Sequence, residues 1–396
     1  MATKTQPLQG VKILDLSHVI AGPLASFYLA QLGATVIKVE PPEKGEVMRK
    51  GGGTPDEFVA YNAGKHSQAI DIRTPQGVAR ILELSKQVDV VLENFRPGVM
   101  RKRGLGYEDV KAVNPDIIYC SISGYGQKGT WSERGGYDHV IQGLTGMMMR
   151  SGNPADDAPI KVGFPVVDVA TGMLGAMSIL AALRGRDHGA GGQHVDVSMV
   201  QASLALMYPQ ATAYLNSSAE PARLGNRGYS GSPGAGTFQC ADGWLSTAAN
   251  TPKQFKKLAR YLDLQYVSED EQLLDVQALN AHEGFVVAKD FEAVHQAFQQ
   301  VLRTKRVAQV EEELNAIGVP AAKVRKLGEF LQEVREQGGV ELPWRNFTQS
   351  DRLVQTAGLG FELDGSGAQT LRGAPALTSE EKRLSQISGS TEPANI

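Results

Sequence analysis

The chain has 396 residues, long for a single hydrophobic core, so two domains are expected. Its 40 basic and 43 acidic side chains leave a formal charge of −3, which argues against a dedicated nucleic-acid binder and leaves any affinity for small anions to local clusters. Cys120 and Cys240 are the only cysteines, too few for a disulfide framework or a cysteine-rich metal site, so no metal is expected and a reducing cytoplasm is.

In chain order, Val11 to Leu16 reads as a strand, Gly22 to Leu32 as a helix and Ala34 to Val39 as a second strand ending at Glu40, a parallel unit with a right-handed crossover. A helical pattern follows near Pro75 to Lys86. Apolar runs at Val88 to Leu92, Ile117 to Ile122 and His194 to Val197 extend the sheet, and Met199 to Tyr214 reads as a helix. Between the last two of those runs, Asp168 precedes a stretch reaching Leu183 that carries no other charge. That stretch approaches membrane-spanning length, but Asp168 and glycines interrupt it, and a packed interior helix with no membrane is expected. If the helix begins near Asp168, first-turn amides and the helix dipole keep the carboxylate ionised while it is desolvated. It is then either an ordinary N-cap or a poised oxygen nucleophile.

After Ser217 the texture turns to loop residues and to a glycine-rich stretch, Gly225 to Gly236, with five glycines in twelve residues. Such a stretch serves either as a flexible linker or as a loop whose exposed amides cover a reactive group. A short strand at Trp244 to Ala248 and amphipathic helices at Phe291 to Arg303 and Val307 to Ile317 come next, then strand and turn signals including Gly358 to Phe361, and a polar tail from Gly389. The expected fold class is α/β: a large Rossmann-like doubly wound parallel-sheet domain over 1–217, a smaller α+β domain over 225–330 with the glycine-rich loop before it, and a return to the large domain over 331–396.

Glu40, at the end of the second strand, sits where a nicotinamide enzyme keeps a ribose-binding acid. The first turn, Leu16 to Pro23, holds one glycine and a proline where a pyrophosphate needs several close amides, so an NAD-dependent oxidoreductase is disfavoured. Arg96, Arg101, Lys102 and Arg103 place four cations within eight residues, either a solvated helix face or a phosphate site.

Taken together, Leu14 to Pro23 (LDLSHVIAGP), Leu32 to Glu40 (LGATVIKVE), Glu93 to Gly98 (ENFRPG), Ser123 to Gly126 (SGYG), Asp168, Gly191 to Ser198 (GGQHVDVS) and Gly318 to Ala321 (GVPA) resemble the class III CoA-transferases, the CaiB/BaiF family that includes formyl-CoA transferase. The resemblance covers nearly the whole chain in order. It implies that Asp168 attacks the thioester of an acyl-CoA and comes to hold CoA as an aspartyl thioester, which an acceptor carboxylate then discharges. It further implies that Val19, Ile20, Ile70, Arg73, Asn94, Phe95 and Lys102 wrap the nucleotide, that Tyr137 and Asp138 lie near the thioester, and that a glycine loop containing Gly228, Gly231 and Gly234 closes over the intermediate. Two positions depart from the pattern: Lys102 replaces an arginine, and Pro41 stands where some members have a CoA-binding arginine. Arg101 or Arg103 is expected to compensate.

CoA and acyl-CoA are substrates on this reading, and no tightly bound cofactor is expected. Family habit implies succinyl-CoA as donor and a short dicarboxylic acid as acceptor, with Arg227, Tyr229 or Tyr61 receiving the second carboxylate. The related 2-methylacyl-CoA racemases place a histidine in a Gly-His-Asp motif that reads Gly136-Tyr137-Asp138 here. His139 lies two positions on, about 200° away if the stretch is helical. A catalytically silent CoA-binding homologue is the remaining alternative. The resemblance also implies an interlocked ring homodimer, with stretches near Met207 to Leu224 and Gln332 to Arg345 as the links.

Overall fold

A computed structural model of the chain describes residues 6–51, 55–281, 284–363 and 370–377; the polar tail from Gly389 lies outside the described residues. The described residues fall into two compact units, one within residues 1–148, 161–219 and 342–396, the other within 149–160 and 220–341.

The first unit is built on a six-stranded parallel sheet of β1 (Lys12–Asp15), β2 (Thr35–Glu40), β3 (His66–Ala69), β4 (Val90–Glu93), β5 (Ile118–Ser123) and β6 (Gln193–Ser198), in the order β3-β2-β1-β4-β5-β6. The order reverses between β1 and β4, which opens a crevice beyond the carboxyl ends of those two strands, the usual ligand position in such sheets. Sheet faces are dry: Ile13, Val36, Val90, Leu92 and Ile118 pack on one side and Leu14, Ile37, Val91, Ile117 and Tyr119 on the other. Buried on both sides, the central strands β1, β2, β4 and β5 are largely apolar runs, which is why they are legible in the sequence. β3, His-Ser-Gln-Ala at the sheet edge, carries no such run and is not predicted.

The helix after β1, Ala21–Gln31, and the long helix Val166–Asp187 pack against each other on one face of the sheet. Gly172 makes that approach possible: a Cβ there would lie 2.9 Å from the carbonyl oxygen of Ala21. The expected single helix from Met199 to Tyr214 is two, Met199–Leu206 and Tyr208–Ser217, because Pro209 has no amide for the carbonyl of Ala205 and instead occupies the first turn of the second helix. A second, three-stranded sheet of Arg345–Gln349, Arg352–Thr356 and Thr370–Arg372 completes the unit. Gly358 to Phe361 forms a bend after it, with Gly358 at φ 85°.

In the second unit, an antiparallel sheet of β7 (Ala235–Gln239), β8 (Trp244–Ala248) and β9 (Ala321–Lys323) packs Phe238 and Leu245 against Phe255, Phe298, Val310 and Leu314 from surrounding helices. The helices Phe291–Leu302 and Val307–Ala316 lie where the amphipathic pattern puts them. The glycine-rich stretch folds back on its own strand. The Gly228 amide donates to the carbonyl of Ala235 (2.9 Å), the Ser232 hydroxyl to that of Ala249 (2.7 Å), and Gly231 turns the chain at φ 76°. It is therefore a hydrogen-bonded loop and not a linker. Gly228 and Gly234 sit against Ala235 and Ala249 where side chains would clash or crowd, and Tyr229 at the tip is 93% exposed.

Candidate active site

Asp168 lies in the first turn of the Val166–Asp187 helix but does not cap it. The caps come from Asp138, whose Oδ2 accepts the amides of Val167 (2.7 Å) and Asp168 (3.0 Å) while Gln142 donates to its other oxygen. Asp138 reaches that place because Gly124 and Gly136 touch backbone to backbone, a Cβ on Gly136 lying 2.6 Å from the Gly124 Cα. The expectation that first-turn amides keep Asp168 ionised is thus corrected: another carboxylate occupies them. Burial, and then the charge of Asp138, push the Asp168 carboxyl up to about 7. Near neutral pH it is a partly ionised, poorly solvated oxygen, more reactive than a hydrated carboxylate.

Asp168 opens into a hollow of 370 Å³ at the crevice between β1 and β4, lined also by His18, Val19, Ile20, Asn94, Phe95 and Tyr137. A second hollow of 570 Å³ shares His18, Val47 and Phe95 with it and continues past Ile70 to Arg73 and Arg103. A third, of 500 Å³, shares Arg73 and Arg103 and adds Lys102. The structure therefore brings together eight of the nine residues expected at the nucleotide, and leads from cations at one end to Asp168 at the other. Arg101 is exposed on the short Val99–Lys102 helix and lines none of the three. Arg73 is held by Asp71 through two bonds of 2.8 Å at the surface, whereas Arg103 has a buried Nε with no partner among the described residues.

The loop from Ser17 to Ile20 forms one wall of the Asp168 hollow. Asp15 accepts the Ser17 amide, and the Asn94 side chain both accepts the His18 amide (2.9 Å) and donates to its carbonyl (2.8 Å). The Val19 amide donates to Glu46 Oε2 (3.0 Å). Behind it lies a wholly buried set of charges: Lys65 bonds Asp15 (3.0 Å), the Asn62 side chain and the Pro23 carbonyl, and Lys38 bonds the Ser17 carbonyl (3.0 Å). The His18 ring packs tilted against Phe95, the centroids 5.1 Å apart and the planes at 50°. Of these residues, Asp15, Ser17, His18 and Lys38 lie within the quoted motifs, whereas nothing in the sequence marks Glu46 or Lys65.

Three further expectations meet the geometry. Glu40 is fully buried and taken by Arg49 (2.6 and 2.7 Å), with Ser67 and the Glu46 amide as further donors, so it is not free for a ribose. Tyr137, where a racemase keeps histidine, is 66% exposed and lines the Asp168 hollow, while His139 is exposed and lines none of the three. Of the residues expected to receive a second carboxylate, Arg227 pairs with Glu292 (3.1 Å) and lies over Phe291, whereas Tyr61 is half-buried and close enough to Asp168 for that charge to help raise its phenol.

The sequence pattern that defines CoA-transferase family III matches residues 8–381. The succinate–glutarate CoA-transferase of Agrobacterium fabrum is 37% identical over 293 residues, 71% of this chain and 73% of that protein. The mouse succinyl-CoA:glutarate CoA-transferase is 38% identical over 270 residues, 67% of this chain and 62% of that one. Among solved structures, a CaiB/BaiF family protein from Brucella suis superposes with a TM-score of 0.79 at 30% identity, covering 94% of this chain and 97% of its own. A Mycobacterium tuberculosis structure gives 0.81 at 27% identity, covering 94% and 97%. This chain belongs to CoA-transferase family III.

Proposed function

We propose that the enzyme moves CoA from a short acyl-CoA, with succinyl-CoA as the donor, to a small dicarboxylic acid by way of a thioester on Asp168. The observation that carries the covalent step is the placing of the Asp168 carboxyl, desolvated and raised in pKa, in the last of three adjoining hollows whose far end is cationic. The dicarboxylic acceptor follows the names of the two relatives above.

An Asp168 oxygen adds to the thioester carbonyl; the carbon–sulfur bond breaks and CoA leaves as the thiolate, giving a mixed anhydride. The thiolate then attacks Asp168 Cγ, the anhydride opens, and the donor acid departs as its carboxylate. The acceptor carboxylate runs the same steps in reverse. No general base is needed, because the nucleophile enters as an anion and every leaving group departs as one. Negative charge gathers on the former carbonyl oxygen in each tetrahedral intermediate. The Ala21–Gln31 helix begins at the same hollow with no side chain capping it among the described residues; Pro23 has no amide and the Leu24 amide bonds Ile20, which leaves the Ala21 and Gly22 amides to stabilise that charge. Holding carboxylate and thioester together is worth an effective molarity on the order of 10⁵ M or more.

Incubation with succinyl-CoA followed by hydroxylamine, then peptide mass spectrometry, tests the step. A hydroxamate on Asp168 is expected; an unmodified Asp168 in a protein that still transfers CoA overturns it. We read the active form as a homodimer in the cytoplasm. Met173, Met177, Leu204, Leu206, Tyr208 and Leu215 form an exposed apolar set on the two helical stretches of the first unit, more than a lone soluble chain usually leaves to water. Light scattering at micromolar concentration is expected to give twice the chain mass.

A further inference from the structure

Val19 has φ 68°, in the left-handed region that a β-branched residue avoids. It is also one of the residues that line the Asp168 hollow, so the strained peptide stands at the site itself. Strain of this kind persists only where the surroundings over-determine the backbone. On the N-terminal side, His18 is clamped by both ends of the Asn94 amide. At Val19 the remaining constraint is Glu46, which comes from the separate segment after β2 and accepts the Val19 amide at 3.0 Å. Glu46 is itself fixed from two directions: its amide donates to Glu40, and Lys38 Nζ lies 3.6 Å from its Oε2 while bonding the Ser17 carbonyl of the same loop. Its other oxygen, Oε1, is buried and has no partner among the described residues. Two unfavourable features, a strained residue and an under-satisfied buried carboxylate, therefore meet at one hydrogen bond. A chain selected for stability alone has no use for either.

We propose that Glu46 is a positioning residue: by holding the Val19 amide it keeps Val19 left-handed and so sets how the Ser17 to Ile20 loop presents the donor thioester to Asp168. Glu46 lines the 570 Å³ hollow but not the one that holds Asp168; it acts on the reacting atoms through the peptide it holds. The inference rests on the reading of Asp168 as nucleophile for its catalytic consequence, and on geometry alone for the loop. A loop that relaxes to ordinary backbone angles still accommodates the nucleotide through Arg73, Lys102 and Arg103, but misplaces the thioester.

The test compares Glu46→Ala, Glu46→Gln, Val19→Gly and the double variant Val19→Gly/Glu46→Ala, each read by kcat, by KM for succinyl-CoA and by hydrogen exchange of the Val19 amide. Glutamine loses the charge beside Lys38 but keeps an acceptor for Val19, so it separates the hydrogen bond from the ion pair. Expected are a kcat lower by about 10- to 100-fold for Glu46→Ala with KM changed by less than about 3-fold, and restoration to within about 3-fold by Glu46→Gln. Glycine adopts positive φ without strain, so in the Val19→Gly background removing Glu46 is expected to cost less than about 3-fold further. The Val19 amide exchanges fast in Glu46→Ala and slowly in wild type and Glu46→Gln. Equal losses for alanine with and without Val19→Gly, or equal losses for alanine and glutamine, overturn the proposal. Should Glu46→Ala fail to fold, the double variant, free of the strain, is expected to fold and to match Val19→Gly; its failure to do so overturns the proposal as well. If wild type forms no adduct on Asp168, the functional reading fails by that result, and the exchange measurements still decide whether Glu46 holds Val19.

Discussion

Asp15 and Asp168 stand at two regions of the same crevice and show what burial does to a carboxylate when its company differs. Asp15 is wholly buried at the end of β1, which by itself pushes its pKa up, yet Lys65, Lys38 and the hydroxyls of Ser17 and Ser26 more than offset this and hold it at about 2. Asp168 is less enclosed, meets no cation, faces Asp138, and sits at about 7. The lesson is that partners, not depth, decide whether a buried acid is structural or reactive. One is charge-paired into the frame; the other is left without a cationic partner among the described residues.

Four experiments break or sharpen that contrast. The largest effect is expected from Asp168→Ala, which should lower CoA transfer by more than about 10³-fold while calorimetry finds CoA binding within a few-fold of wild type. Asp15→Ala should do the opposite kind of damage. It strands the fully buried Lys65, and urea titration is expected to show a loss of about 3–5 kcal/mol, enough to leave little folded protein. Asp138→Asn keeps an acceptor for the helix amides but removes the like charge, so the acid limb of the kcat profile, tenfold per unit below about 7 in wild type, should move to lower pH. The smallest effect is Asp168→Asn. Because the folded-state pKa of Asp168 is raised above its ordinary value of 3.8, its favourable contribution is complete below about 4 and is lost as pH rises through about 7. The amide escapes that loss, so the melting temperature at pH 8 should exceed wild type by several degrees, with the difference shrinking as pH falls and gone by about pH 4.

Much of the fold was legible because doubly covered strands are largely apolar: β1, β2, β4 and β5 announce themselves, β6 at the sheet edge does so through Val195 and Val197, and so do Trp244 to Ala248 and the two amphipathic helices of the second unit. β3 was not legible, since an edge strand of four largely polar residues has no periodicity to read. The break at Met207 was overlooked although Pro209 marks it. At the candidate site, Asp168 and eight residues that line the three adjoining hollows were picked out through ordered motifs. The cap from Asp138 was not foreseen, because it depends on two glycines, Gly124 and Gly136, meeting from distant parts of the chain. Glu46 and Lys65 were invisible, and the burial of Lys38 was too, because a charged residue in a sequence looks solvated until its partners are placed around it.

The bare contact at Gly172 has an evolutionary reading. It lets the helix that bears Asp168 approach the Ala21 carbonyl and the Leu24 side chain of the helix that starts at Ala21, so two walls of the Asp168 hollow are registered where a larger residue would have to push them apart. Drift in that seam would move the Asp168 carboxyl away from the donor amides at the start of the first helix. Divergence toward new substrates is thereby channelled away from this joint, into segments whose side chains can vary without loosening it.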